Sequence, residues 1–128
     1  MLLYGAICRG LLSGKMTSDT TFQGDDIRKV DPKFNEERFS QYLDAVDRLD
    51  KFAQENYGKR VIHLALRWVL DKARDHIALW GARRPSQLEP VNELYKDAFH
   101  DKEKILADTI KDPVGPEFMA PPVKNPNV

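Results

Sequence analysis

Tyr4-Gly5-Ala6-Ile7-Cys8-Arg9-Gly10-Leu11-Leu12-Ser13-Gly14-Lys15 follows directly on the apolar residues that open the chain. An apolar run leading into a glycine-rich stretch is typical of a buried strand that leaves into a loop, so we predict a strand over Leu2 to Ile7. Glycine lets backbone amides approach a ligand closely, and arginine binds phosphate through paired hydrogen bonds. The stretch is therefore a candidate phosphate-binding turn, with a plain tight connection as the alternative.

A second turn of the same kind is Trp80-Gly81-Ala82-Arg83-Arg84-Pro85-Ser86-Gln87-Leu88. Ile77 to Trp80 predicts a strand before it, and Pro85 suits the first position of a helix after it. Free amides and the positive dipole end of a helix attract anions, so this turn is a second candidate phosphate site. Side by side, the two turns predict a site for the diphosphate and the extra phosphate of a dinucleotide. Neither matches a P-loop or a GxGxxG motif.

The segment between the two turns predicts a loop over 16–34 and two helices over 35–72. Asn35, Glu36 and Glu37 favour a helix start through side-chain capping and the helix dipole, and Gly58 favours its end. Val61 to Leu70 is apolar on nearly every side, which predicts a helix central to the core. The first helix should bury one stripe, formed by Phe39, Leu43, Val46, Leu49 and Ala53.

The remainder, over 77–111, predicts a strand, a turn and helices, followed by an extended tail over 112–128. After Pro85, a helix with Pro90 as a possible kink should place four apolar residues on one face: Leu88, Val91, Leu94 and Tyr95. A last helix is expected from Asp101, and the prolines after Asp112 prevent a regular helix there. We treat 1–128 as a single domain, since its length allows one modest core.

Composition excludes several classes of protein. The 128 residues carry 20 Lys plus Arg and 20 Asp plus Glu, so the formal net charge is zero and no broad positive field attracts nucleic acid. The longest uncharged stretch at the start, Met1 to Cys8, is far shorter than the roughly 20 residues that cross a bilayer. One cysteine forms no internal disulfide and no basic leader precedes the apolar start, so we expect a reducing cytoplasm.

Single residues offer weaker hypotheses. Tyr4 is placed to stack on a flat ring, but a half-buried core tyrosine is the alternative. His63 has no second ligand at a metal spacing and is expected to be a core histidine. Cys8 is expected to be a small buried hydrophobic residue, although the neighbouring Arg9 favours a lowered pKa of its thiol. The sequence therefore predicts no metal site, and no general acid and base pair.

The residues of both turns carry a resemblance to a known family. Tyr4 to Lys15 resembles the aldo-keto reductase segment Tyr-Ser-Pro-Leu-x-Arg-Gly-Leu-Leu-Ser/Thr-Gly-Lys, which follows the seventh strand of a (β/α)₈ barrel. Trp80 to Leu88 is similar to the family's Gly-Ala-Ser/Arg-x-x-x-Gln-Leu segment after the eighth strand. Ala53 to Leu70 resembles the helix between those strands. The resemblance implies an α/β fold class: the C-terminal fragment of a TIM-type barrel, mostly helical with two short parallel strands.

The resemblance also implies a function, namely reduction of aldehydes or ketones by hydride transfer from NADPH. Carried over by position, Tyr4 would stack on the nicotinamide, and Arg83 and Arg84 would meet the adenosine 2′-phosphate. The diphosphate would be bordered by Gly5, Ala6, Ile7, Arg9 and Leu11. The adenosine end would be bordered by Gly81, Ala82 and Gln87. Two departures stand out: Gly5 replaces the family's serine, and Pro90-Val91 replaces its Glu-Asn pair.

Length limits what the chain should do alone. A complete barrel takes about 250 residues, and the family's catalytic Asp, Tyr, Lys and His belong to earlier strands. We therefore expect no catalytic residue here and no carbonyl reduction by the isolated chain, whether it is a truncated product, a piece of a longer protein or a chain completed by another. Exposed strand edges favour a complementary chain or a homo-oligomer. The alternatives are a helical interaction module or a split-barrel structural subunit that binds no nucleotide.

Overall fold

A computed structural model describes residues 1–72 and 75–94 of the chain. Two strands, β1 (Leu2–Leu3) and β2 (Ile77–Ala78), form a parallel sheet in which Leu2 faces Ile77 and Leu3 faces Ala78. Parallel neighbours require a long crossover connection, and two α-helices lie within it. These are α1 (Glu36–Tyr57) and α2 (Val61–Asp71). Short 3₁₀ helices cover Cys8–Ser13, Ile27–Lys29, Pro32–Phe34 and Pro85–Glu93.

Helix α1 forms where the apolar periodicity places it. Four members of the predicted stripe are buried, and Leu43 packs against them: the buried residues are Phe39, Val46, Leu49 and Ala53. Gly58 ends the helix in the left-handed conformation, with φ of 60°, and its amide donates to the carbonyl of Gln54 at 3.0 Å. The prediction of a side-chain cap was wrong, because Asn35 makes no such hydrogen bond and only its backbone carbonyl accepts, from Phe39.

Helix α2 occupies the centre of the described core, as its apolar sequence predicts. One side, with Val61 and Leu64, packs against α1. Another side, with Ile62 and Leu66, packs against the residues that follow β1 and against the end of the last 3₁₀ helix. Two hydrophobic clusters thus share this helix, which fixes α1 and the sheet relative to each other.

The strands are shorter and more exposed than predicted. The expected strand over Leu2 to Ile7 ends at Leu3, because Gly5 turns the backbone with φ of +76°. Leu2 is 63% exposed, so residues 1–72 and 75–94 do not bury the strand as predicted. β2 likewise ends at Ala78 rather than continuing to Trp80. Each strand has one neighbour among the described residues. Its length is therefore set by how far the two segments run side by side.

The segment over 16–34 is more ordered than a plain loop. Asp26 and Asp31 each cap a short 3₁₀ helix by accepting from the backbone amide two residues on, at 3.0 and 3.1 Å. Phe34 packs at an angle against Phe22 and Phe39, with ring centroids 5.2 and 5.6 Å apart. These contacts anchor the segment on α1.

The segment after β2 keeps the predicted start but changes helix type. Pro85 occupies the first turn, as expected, and Pro90, which has no backbone donor, lies inside a 3₁₀ helix rather than an α-helix. Of the predicted apolar face, Leu94 is buried while Leu88 is exposed. Tyr95, the helix expected from Asp101 and the tail over 112–128 lie outside the described residues. Within 1–72 and 75–94, no helix is long and apolar enough to cross a membrane.

Candidate functional site

The two candidate turns lie next to each other. β1 and β2 are parallel and paired in register, so the segments that follow them leave the sheet at the same edge. Tyr4 and Gly5 continue from β1, while Leu79 to Gly81 continue from β2. Carboxyl ends of neighbouring parallel strands form the crevice where α/β proteins bind ligands. The sheet thus brings together two turns that are more than 70 positions apart in the sequence.

The first turn has an unusual backbone. Cys8, Arg9 and Gly10 all have positive φ, at 48°, 54° and 91°. Left-handed φ is uncommon for residues with a side chain, and such strain persists where surrounding structure holds it. The turn is closed by the amide of Cys8, which donates to the carbonyl of Gly5 at 2.8 Å, and by the amide of Gly10, which donates to the carbonyl of Ile7 at 3.0 Å.

Successive backbone amides near the start of this turn are open to a ligand. Within the described part of the chain, the amides of Ala6 and Ile7 donate to no acceptor. Successive backbone amides in a turn form anion-binding concavities, so this pair suits a phosphate oxygen. The side chains of Ala6 and Leu11 belong to the core, where they are 9% and 2% exposed. Any contact of Leu11 with a ligand is therefore made by its backbone.

Tyr4 is available as a stacking surface. Its side chain is 87% exposed, so the alternative of a half-buried core tyrosine was wrong. It lies directly before Gly5, at which a Cβ would meet no atom within 4 Å. The described residues leave this ring open, so it is free to stack on a flat ligand ring.

Arg9 is held by a carboxylate from the 16–34 segment. Its Nη1 donates to Oδ2 of Asp31 at 2.8 Å, and the Asp31 side chain is 0% exposed while that of Arg9 is 24% exposed. Lys33 Nζ lies 2.9 Å from the other oxygen of Asp31, and Lys33 is itself buried. Sequence reasoning missed this cluster, because nothing near Asp31 in the sequence shows that a carboxylate 22 residues from Arg9 is buried against it.

A second ion pair of the same segment also reaches the first turn. Arg28 Nε donates to both oxygens of Asp26, at 2.9 and 3.2 Å, while Arg28 Nη1 donates to the carbonyl of Arg9 at 3.4 Å. The guanidinium also lies over the ring of Phe22, 4.4 Å from its centroid. Hydrogen bonds from Arg28 hold the pKa of Asp26 well below its usual range, and the positive charge of Arg83 adds to this shift.

The second turn presents guanidinium groups rather than free amides. The side-chain oxygen of Gln87 accepts from the amide of Arg83 at 2.6 Å and from the amide of Arg84 at 3.0 Å. The prediction of free amides at this helix start was therefore wrong for these two positions. All residues from Gly81 to Gln87 are exposed, and a Cβ at Gly81 would meet no atom within 4 Å. Packing does not require a glycine there.

The remaining candidate groups belong to the scaffold. His63 is 5% exposed, and its Nδ1 accepts from the amide of Arg60 at 3.1 Å, which confirms a core histidine. Burial lowers the pKa of His63 and raises the pKa of the Cys8 thiol; for Cys8 this effect exceeds the opposing effects of Lys33 and Arg9. Among residues 1–72 and 75–94, no group of three metal-ligating side chains occurs.

The chain matches a known protein family. Residues 1–110 match the model of the aldo/keto reductase family. The chain is 58% identical to the aldo-keto reductase YhdN of Bacillus subtilis (strain 168), over 96% of this chain and 39% of that protein. It is 29% identical to the aldo-keto reductase yakc [NADP(+)] of Schizosaccharomyces pombe, over 70% of this chain and 26% of that protein.

A solved structure gives the same result. The chain superposes on the glycerol dehydrogenase AKR11B4 of Gluconobacter oxydans with a TM-score of 0.76 and 47% sequence identity. The match covers 93% of this chain and 37% of that structure. The chain therefore spans about two fifths or less of the length of these relatives.

Proposed function

The chain belongs to the aldo/keto reductase family, and we propose that it forms the C-terminal, NADP(H)-binding part of the barrel of an oxidoreductase that reduces aldehydes or ketones. The observation that carries this proposal is the meeting of two arginine-bearing turns at one edge of a parallel sheet. A dinucleotide has charged groups at two places, the diphosphate and the adenosine 2′-phosphate, and each turn suits one of them.

The first turn fits the diphosphate and the nicotinamide. The amides of Ala6 and Ile7 supply donors for phosphate oxygens, and Arg9 adds a positive charge beside them. Tyr4 supplies an exposed ring for the flat nicotinamide. Gly5 leaves space for close approach, since a Cβ there would meet no atom within 4 Å.

The second turn fits the 2′-phosphate. Arg83 and Arg84 are exposed, and guanidinium binds phosphate through paired donors. Gln87 accepts hydrogen bonds from the backbone amides of both arginines. Their side chains therefore extend from a fixed backbone rather than from a mobile loop. The glycine at position 81 and Ala82 keep the approach to these arginines open. This turn provides the preference for NADPH over NADH, because only NADPH carries the 2′-phosphate.

The cofactor supplies a hydride when bound, and the residues of this chain bind and orient it. Reduction of a carbonyl also needs an acid at the developing oxyanion. We propose that this acid belongs to the part of the barrel that the relatives possess beyond the 39% that this chain spans. The chain alone is then expected to bind NADPH without reducing a carbonyl compound.

The exposed sheet favours a complementary partner as a second feature of this function. Leu2 and Ile77, which face each other across the sheet, are 63% and 57% exposed, and Leu79 is 49% exposed. Apolar residues at a short unprotected sheet favour pairing with further strands. We propose that the remaining strands of a barrel cover this surface, with a second copy of the chain as the competing occupant.

Titration calorimetry of the purified chain with NADPH and NADH tests the proposal. We expect micromolar binding of NADPH and binding of NADH that is at least about tenfold weaker, the effect of one lost charge-assisted contact. If neither cofactor binds, with or without the complementary barrel segment of a relative added in trans, the proposal is wrong. The chain is then better described as a helical interaction module.

A further inference from the structure

Asp31 is the most deeply buried charged side chain of the described residues, at 0% exposure. Three donors surround its carboxylate: Arg9 Nη1 at 2.8 Å, Lys33 Nζ at 2.9 Å and the backbone amide of Lys33 at 3.1 Å. A buried carboxylate is tolerated when it is paired and hydrogen-bonded in this way. Burying this ion pair costs desolvation free energy. Replacing such a pair by hydrophobic residues of similar size is often neutral or stabilising.

The partner of Asp31 lies in the strained part of the first turn. Arg9 has φ of 54°, between Cys8 at 48° and Gly10 at 91°. Residues in sparsely populated conformations keep them only when tertiary contacts hold them there. The ion pair to Asp31 is such a contact, and the hydrogen bond from Arg28 to the Arg9 carbonyl, at 3.4 Å, is a second one from the same segment.

We propose that Asp31 is a positioning residue for the cofactor diphosphate, acting through Arg9. The carboxylate fixes the Arg9 side chain and, with it, the left-handed turn that presents the amides of Ala6 and Ile7. This inference rests on the proposed function. One negative charge stands against the two positive charges of Arg9 and Lys33, so the cluster keeps an excess positive charge beside those amides. The 24% exposure of Arg9 leaves part of its guanidinium accessible to an anion.

Positioning by Asp31 and Coulomb attraction alone predict opposite changes in NADPH affinity. Removing the charge of Asp31 makes the site more positive, and Coulomb attraction alone then predicts tighter binding of an anionic cofactor. Positioning predicts weaker binding, because Arg9 and the turn lose the contact that holds them. Asp25→Asn is a matched control, since Asp25 is exposed in the same segment and its substitution removes one negative charge while leaving the Arg9–Asp31 and Arg28–Asp26 pairs in place.

The experiment compares NADPH affinity of the whole chain in five variants. Asp31→Asn removes the carboxylate, and D31N combined with K33M also removes the buried ammonium, so that folding does not depend on an unbalanced buried charge. Arg9→Met supplies the background in which Asp31 has no arginine to hold, and Asp25→Asn is the control. We expect D31N and D31N/K33M to weaken NADPH binding about tenfold, and D25N not to weaken it.

The Arg9→Met background separates positioning from a general structural role. If Asp31 acts through Arg9, adding D31N/K33M to R9M produces no further loss of NADPH affinity. An equal loss in both backgrounds, or unchanged affinity in D31N/K33M, overturns the proposal.

A readout without cofactor separates this proposal from the proposed function. The amides of Gly10 and Leu12 both donate to the carbonyl of Ile7, at 3.0 and 3.2 Å, and their hydrogen exchange reports whether the turn is held. We expect at least about tenfold faster exchange at both amides in D31N/K33M than in D25N. Unchanged exchange contradicts positioning, whereas faster exchange in a chain that binds no NADPH supports the hold of Asp31 on the turn and overturns the proposed function.

Discussion

Leu3 of β1 and Ala78 of β2 face each other in the parallel sheet. Each residue ends its strand, so the turn after Leu3 and the turn after Ala78 leave from the same point. This pairing places two separate glycine-bearing segments side by side, where we propose one binding site. Its consequence is that substitutions in either turn should affect one and the same ligand.

Replacing both Arg83 and Arg84 by alanine should weaken NADPH binding about tenfold or more and leave NADH binding unchanged. The physical reason is the loss of two guanidinium groups from the proposed 2′-phosphate position. Both residues are exposed, so the free energy of unfolding should change by less than about 0.5 kcal/mol. Calorimetric titration and urea unfolding measure the two quantities.

The control for the arginine variant is Arg48→Ala with Lys51→Ala, on the exposed face of α1. It removes the same formal charge from another part of the surface. An equal loss of NADPH affinity in the control would show that net charge, rather than a local site, governs binding.

A methyl group at Gly14 should destabilise the fold by about 2 kcal/mol or more. Gly14 has φ of +69°, and a Cβ there would lie 2.9 Å from Cγ1 of Val61, in the core between the first turn and α2. Gly24→Ala is the matched comparison, because Gly24 also has positive φ but no atom within 4 Å of a Cβ. It should cost about 1 kcal/mol, from backbone strain alone. Equal losses in urea unfolding of the two variants would contradict the packing at Gly14.

Truncation of Leu64 to alanine should cost about 2 to 5 kcal/mol of stability. Leu64 is 1% exposed and lies in the cluster that joins α2 to α1. The exposed Leu88, at 47%, provides a comparison with the same chemical change, and Leu88→Ala should cost less than about 1 kcal/mol. Similar values for the two variants would show that α2 is not central to the core.

Stability should fall as the solution is acidified below about pH 6.5 because of His63. Burial lowers the pKa of His63 in the folded chain from its ordinary value of 6.5. As pH falls, the unfolded chain takes up the proton first, so the contribution is complete above about pH 6.5 and is lost progressively down to the folded pKa. Protonation also ends the hydrogen bond that Nδ1 accepts from the Arg60 amide.

The variant His63→Gln isolates this effect. Glutamine at the third helical position accepts from the amide of the capping residue without titrating. The unfolding free energy should therefore depend less on pH between 7.5 and 5 in the variant than in the parent chain. Identical pH dependence in both would assign the acid sensitivity to other groups.

Local pattern was enough to predict α1 and α2, although the helix predicted after Pro85 is a 3₁₀ helix. The apolar stripe from Phe39 to Ala53 and the stop at Gly58 fixed α1, and the uniformly apolar Val61 to Leu70 placed α2 at the centre. Strand ends were predicted less well, because pairing depends on how far two distant segments run together rather than on their composition. Asn35 shows a further limit: its residue type favours a capping role that its side chain does not take.

The site was predicted only in part for the same physical reason. Both turns were found, since glycine next to arginine after an apolar run is a local feature. The contacts that hold the two turns were not predicted. Gln87 accepts from the amides of Arg83 and Arg84, and Asp31 holds Arg9 from a segment predicted as a loop. Asp31 followed by Pro32 does carry a local sign of a helix start, but its burial depends on a distant partner.

The most direct test of the account is a titration of the ¹⁵N-labelled chain with NADPH, followed by the amide resonances of both turns. We predict that the amides of Ala6 and Ile7 and those of Gly81 to Arg84 shift together and give one common Kd. We also predict that 2′-AMP, which lacks the diphosphate, shifts only the second group. Shifts confined to one turn under NADPH, or two different Kd values, would contradict the claim that the paired strands build a single dinucleotide site.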